Sequence, residues 1–192
     1  MTKKISRRKK NRREFPYLPV GIGVVVVVIA LLLGIQGATS VARPQNLSSI
    51  PMAVNYPAPE LRLENVKGGF EALTDYRNKV LLVNNWATWC PPCKAELPTL
   101  VAFYQAHAAE GLMIVGIEAG EPASEVANFV QQAGIPYPIW LDPQGLSNRA
   151  FQNSNLPNSY VIDRTGTVRL SWTGQITREM LEKYVTPLLA EK

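Results

Sequence analysis

Val80-Leu81-Leu82-Val83-Asn84-Asn85-Trp86-Ala87-Thr88-Trp89-Cys90-Pro91-Pro92-Cys93-Lys94 joins an apolar run to a Cys-x-x-Cys motif, and these two cysteines are the only ones in 192 residues. The run Val80–Val83 predicts a buried strand. Beyond Cys93, the residues Leu97, Leu100, Val101 and Tyr104 recur at helical spacing, so a strand feeds a helix through the cysteines. A sulfur at a helix N-terminus meets unpaired N–H groups and the positive end of the macrodipole, and both favour a thiolate. The segment points to redox chemistry at sulfur.

Three other readings compete. A structural disulfide would close a loop worth only about 2 kcal/mol, against ~4.7 kcal/mol for a 100-residue loop. A zinc site needs two further ligands, and the chain offers no other Cys and one His, His107. Inert buried thiols would give no reason for two intervening prolines.

The net charge of +5 is unevenly spread. Lys3, Lys4, Arg7, Arg8, Lys9, Lys10, Arg12 and Arg13 crowd the start, whereas residues from 44 onward carry 11 basic and 14 acidic side chains, a net of −3. The pI of 9.3 describes a tail, and the remainder has no nucleic-acid footprint. Residues 18–35 carry no charge, long enough as a helix to cross about 30 Å of hydrocarbon. The basic tail then stays cytoplasmic and the rest lies outside. The length of this apolar segment favours an uncleaved anchor over a signal peptide cut after Ala42. Pro44, Pro51, Pro57 and Pro59 mark an extended tether. The expected organisation is a basic tail over 1–16, a transmembrane anchor over 17–38, an extracytoplasmic linker over 39–56 and one folded domain over 57–192.

Within the domain, strands are expected at Glu60–Glu64, Lys79–Asn85, Leu112–Glu118, Ile139–Leu141, Ser159–Ile162 and Val168–Trp172. Helices are expected at Pro92–Ala109, Ser124–Ala133, Leu146–Phe151 and Thr177–Leu189, with a kink at Pro98. The alternation predicts an α/β fold with a mixed central sheet, a parallel βαβ centre and helices on both faces. Trp86, Trp140 and Trp172 are expected in the core. His107 reads as a solvated residue favoured by the helix C-terminus.

Trp89-Cys90-Pro91-Pro92-Cys93-Lys94, with Val83-Asn84, Trp86-Ala87 and Pro98 around it, resembles the active-site segment of the thioredoxin superfamily. Together with Ala58-Pro59, Glu96 and Leu156-Pro157-Asn158-Ser159-Tyr160-Val161-Ile162-Asp163, it resembles the membrane-tethered TlpA/ResA-type thiol–disulfide oxidoreductases. The resemblance implies a thioredoxin-like fold behind the transmembrane helix. It implies an exposed attacking thiol at Cys90, a resolving thiol at Cys93 and a redox-active disulfide between them, with no further cofactor and no metal. It also implies a cis proline at Pro157, with the Leu156 backbone free to pair with an extended substrate. Implied partners are protein thiols and disulfides, a membrane thiol transporter as electron donor, and apocytochrome c cysteines as one substrate. Two residues depart from the superfamily: Asn84 stands where many thioredoxins bury an aspartate, and Asn85 where an aromatic or apolar residue is usual.

Glu96 lies three residues beyond Cys93 on the same helical face. At ~6 Å and an effective dielectric of about 20, two negative charges there repel by roughly 3 kcal/mol, so only one ionises. That is the basis of a proton shuttle, and it weakens the thiolate, which favours a reductant. A solvated Glu96 paired with Lys94 or Lys67 is the alternative. Trp89 is expected to form an apolar floor for substrate, and Thr88 has no assignable role. The rival functions are a general disulfide oxidase, a peroxidase of the same fold, which would place Thr where this chain has Ala87, and a copper-binding chaperone, which would need wider cysteine spacing and a distal His.

Overall fold

The computed structural model describes residues 50–191. The expected basic tail, the expected transmembrane anchor and most of the expected tether lie outside them. Among the described residues no helix is long and apolar enough to cross a membrane.

One eight-stranded sheet organises the domain, in the order β1-β8-β7-β4-β5-β6-β2-β3. The strands are β1 (Met52–Pro57), β2 (Arg62–Asn65), β3 (Phe70–Ala72), β4 (Val80–Trp86), β5 (Leu112–Glu118), β6 (Ile139–Leu141), β7 (Asn158–Ile162) and β8 (Thr167–Thr173). The helices are α1 (Pro91–His107), α2 (Ala123–Ala133), α3 (Leu146–Ala150), α4 (Arg178–Tyr184) and α5 (Thr186–Ala190). Strands β4, β5 and β6 run parallel, β7 runs antiparallel to β4, and β8 runs antiparallel to β7. This is the expected mixed sheet with a parallel centre.

All seven residues of β4 are buried. Alternation sends Val80 and Leu82 into one apolar cluster, with Leu97 and Leu100 of α1. It sends Leu81 and Val83 into the other, with Trp140, Phe151 and Tyr160. Burial of each such side chain contributes roughly 1.5–3 kcal/mol, so β4 holds both layers together. Trp86, Trp140 and Trp172 are at most 1 % exposed, as expected. Gly116 of β5 makes this packing possible, because a Cβ there would stand 2.6 Å from Ile139 Cδ1 and 3.0 Å from Trp86 Nε1.

The structure departs from the sequence reading in several places. The tether expected over 39–56 enters the sheet: Met52–Pro57 pairs antiparallel with β8 at one edge, with an irregular register between Ala53 and Tyr56. Mostly exposed edge residues show no two-residue apolar period, so the sequence carried no strand signal. The three-residue β3 was too short to read. One helix expected over Thr177–Leu189 is two, α4 and α5, with Pro187 in the first turn of the second. Helix α1 spans Pro98, the position at which the kink is expected. His107 is not solvated, since its side chain is 13 % exposed, with its ring 4.5 Å from that of Phe103 and Nδ1 3.0 Å from Glu110.

Candidate active site

Strand β4 ends at Trp86, the chain turns through Ala87–Trp89, and Cys90 caps α1. Pro91 and Pro92 occupy the first two helical positions, where their missing N–H groups would have been unpaired in any case. The first available donor is therefore the Cys93 N–H, which lies 3.3 Å from Cys90 Sγ. Cys90 and Cys93 are joined as a disulfide, with Cα atoms 5.3 Å apart. Cys93 is fully buried, and Cys90, expected to present an exposed thiol, is only 3 % exposed in this disulfide form. Its sulfur belongs to the apolar cluster that also packs against Leu156. Trp89, by contrast, is 64 % exposed beside the motif.

Glu96 is completely buried, and neither Lys94 nor Lys67 is its partner. Its Oε1 accepts from Asn84 Nδ2 at 2.8 Å, and its Oε2 accepts from the Ile176 N–H at 2.8 Å. Burial pushes its pKa up to about 7, and the two hydrogen bonds oppose that rise without cancelling it. A carboxyl poised near neutrality, one helical turn beyond Cys93, can hold or release a proton during exchange.

Asn84 also donates to Ser159 Oγ at 3.0 Å, and its own oxygen is buried without a partner. Asn85 accepts from Ser147 Oγ at 2.6 Å and donates to Asn158 Oδ1 at 2.8 Å. Both departures from the superfamily are thus buried amides with named partners. The pairing of Asn85 with Asn158 and of Asn84 with Ser159 sets β7 alongside β4, and its continuation puts Pro157 level with Trp86, at the end where the cysteine loop begins. The Leu156–Pro157 bond is cis.

Sequence reasoning missed Glu118 and Glu121. Strand β5 runs parallel to β4, so the loop after it emerges beside the cysteine loop. There Glu121 accepts from both the backbone N–H and the hydroxyl of Thr88, two residues before Cys90. Glu118 is fully buried, and its Oε2 accepts from the N–H groups of Gly120 and Glu121 at 3.0 and 2.9 Å. Burial first, and then a hydrogen bond to Glu121, raises the Glu118 pKa, while Thr88 holds Glu121 below the usual carboxylate range against the cost of burial. The two shifts run in opposite directions, so Glu118 is the acid of the pair that keeps its proton longer and Glu121 the one that ionises first. The sequence signal was an acid closing the strand parallel to β4 and a second acid three residues on. Among the described residues, no group of three or more His, Cys, Asp or Glu is placed to hold a metal ion.

A Cys-x-x-Cys pair capping the helix after the central strand, beside a cis proline on the neighbouring strand, defines a thioredoxin-fold thiol–disulfide oxidoreductase. The chain belongs to the AhpC/TSA family, whose model matches residues 54–171. It is 31 % identical over 177 residues to the thiol-disulfide oxidoreductase ResA of Bacillus subtilis (strain 168), covering 92 % of this chain and 94 % of that one. It is 34 % identical over 134 residues to ResA of Geobacillus kaustophilus (strain HTA426), covering 70 % and 77 %. Among solved structures, a thiol:disulfide interchange protein of the thioredoxin family from Chlorobium tepidum TLS superimposes with a TM-score of 0.65 at 30 % identity, covering 72 % of this chain and 99 % of that one.

Proposed function

We propose that this enzyme is a membrane-anchored, extracytoplasmic reductant of protein disulfides, supplied with electrons by a membrane thiol transporter and acting in cytochrome c maturation on apocytochrome cysteines. The observation that carries the reductant reading is Glu96, buried on the helical face of Cys93 with a pKa near 7. A negative charge there works against a thiolate and so favours the disulfide form, which is the product side of a reductant. Pro91 and Pro92 act in the same direction, since they remove two of the N–H groups that would otherwise stabilise a thiolate at the helix start. The anchor and orientation rest on the apolar segment and its basic flank.

The reaction proceeds by two displacements. The Cys90 thiolate attacks one sulfur of a substrate disulfide, a Cys90–substrate bond forms, the substrate S–S bond breaks, and one substrate thiolate leaves and takes up a proton. Glu96, ionised, accepts the Cys93 proton, directly or through a water, and the Cys93 thiolate attacks Cys90. The second substrate thiolate leaves, and the Cys90–Cys93 disulfide of this structure remains. Two electrons have passed to the substrate. The exposed indole of Trp89 and the open peptide of Leu156 offer the substrate chain an apolar face and a backbone partner.

The deciding measurement is the two-electron potential of the Cys90–Cys93 couple. A value near the −270 mV typical of thioredoxin supports the proposal, whereas one near about −120 mV makes the enzyme an oxidant.

A further inference from the structure

The conspicuous polar feature of the interior that disulfide exchange does not use is a line of buried side chains. The Ser147 hydroxyl donates to Asn85 Oδ1 at 2.6 Å, Asn85 Nδ2 donates to Asn158 Oδ1 at 2.8 Å, and Asn158 Nδ2 donates to the Asn155 carbonyl at 2.6 Å. Ser147, Asn85 and Asn158 are at most 2 % exposed. Every bond in the line points the same way. The Asn155 carbonyl can only accept, which fixes the orientation of the Asn158 amide, and Asn158 in turn fixes Asn85. At the far end, Asp142 accepts from the Ser147 N–H at 2.8 Å and holds α3 in place.

We infer that this line is a positioning device for the loop that receives the substrate backbone, and that Asn85 and Asn158 determine the enzyme's preference for polypeptide over small disulfides. The inference rests on the reading of Leu156 as a pairing site. The carbonyls on either side of Leu156 are pinned: that of Asn155 by Asn158, and that of Pro157 by the Gly174 N–H at 2.8 Å. Among the described residues, the N–H and C=O of Leu156 itself take no partner, so the backbone of one residue stands open between two fixed points. Buried amides cost desolvation that apolar side chains at the same positions would not. Here that cost is compensated by bonds that end on a single loop carbonyl, where apolar side chains could not reach. An incoming strand meets a peptide that is already oriented, whereas a small disulfide, which does not pair with backbone, gains nothing from it.

The test compares two second-order rate constants for the reduced full-length protein in detergent. One is for an extended peptide whose single cysteine carries glutathione in mixed disulfide, the other for bis(2-hydroxyethyl) disulfide. Asn158→Asp keeps the acceptor for Asn85 but loses the donor to Asn155, and it is expected to lower the peptide-to-small ratio by roughly three- to tenfold. Asn85→Leu leaves the Asn158 amide free to turn and is expected to lower the ratio as well. It decides the question if the buried carboxyl of Asn158→Asp prevents folding. A folded variant that loses stability but keeps the wild-type ratio overturns the inference and reduces the line to a structural role. A wild-type protein that shows no preference for the peptide overturns instead the reading of Leu156 on which the inference rests.

Discussion

Asn84 donates to Glu96 Oε1 at 2.8 Å, tying the strand that leads into the cysteine loop to the helix that leaves it. An amide at this position offers an N–H to the carboxyl whether or not Glu96 is ionised, and it never competes for the proton. Asn84→Asp would place two carboxyls at hydrogen-bond distance, where both cannot ionise. The expected outcome is a Glu96 that titrates above its wild-type value and a slower release of the mixed disulfide near neutral pH. Carbon-detected NMR titration of labelled glutamate, with stopped-flow exchange kinetics, checks both.

Glu96 also imposes a sign on stability. A carboxyl whose pKa rises from 4.5 to about 7 on folding binds its proton more tightly in the folded chain. Its contribution is therefore full below pH 4.5 and is lost as pH rises through 7. Glu96→Gln removes the titration. Between pH 4.5 and 8, the oxidised wild type should lose up to about 3 kcal/mol relative to that variant, read from urea unfolding at the two pH values.

Glu118 and Glu121 hold the residues before Cys90. Above the pH at which Glu118 ionises, a second negative charge stands beside Glu121, and the grip on Thr88 loosens. Amide exchange at Thr88, corrected for its intrinsic pH dependence, should accelerate above neutral pH in the wild type and do so far less in Glu118→Gln. Thr88→Val removes one hydrogen bond to a charged acceptor and should cost about 1.5–3 kcal/mol by denaturant unfolding.

Trp89 is mostly exposed, so Trp89→Ala should leave stability within about 0.5 kcal/mol of wild type. On the proposed function, its effect falls on substrate binding. Reaction with a peptide disulfide should slow several-fold, while reaction with a small disulfide changes little.

Gly116→Ala tests the packing beneath the site. The added methyl meets Ile139 and the buried Trp86 ring, itself 5.4 Å from the Phe129 ring by centroids. Ile139 can turn away at its tip, but Trp86 has no free side to move to, and a loss of about 1–3 kcal/mol is expected from thermal or urea unfolding.

The stretch Val80–Tyr104 by itself determined the class of fold and chemistry, because an apolar strand run, a helix period and two cysteines between them are local properties of the chain. The same locality explains the failures. Met52–Pro57 became a strand only because β8 offered it an edge, and His107, which helix spacing sets beside Phe103, is met from another helix by Glu182 at 3.7 Å, which its own helix position could not announce. Glu96 was marked by its spacing from Cys93, yet whether it faced solvent or the interior depended on β4 and on the chain at Ile176, 80 residues away. Burial raises a carboxyl pKa, and burial is a property of neighbours. The same holds for Glu118, for Glu121 and for the line from Ser147 to Asn155, whose members lie up to 73 residues apart and meet only when β7 settles against β4. Sequence supplied the reacting sulfurs, and the tertiary structure decided which groups hold their protons and orient the loop beside them, since both depend on distances the chain closes only on folding.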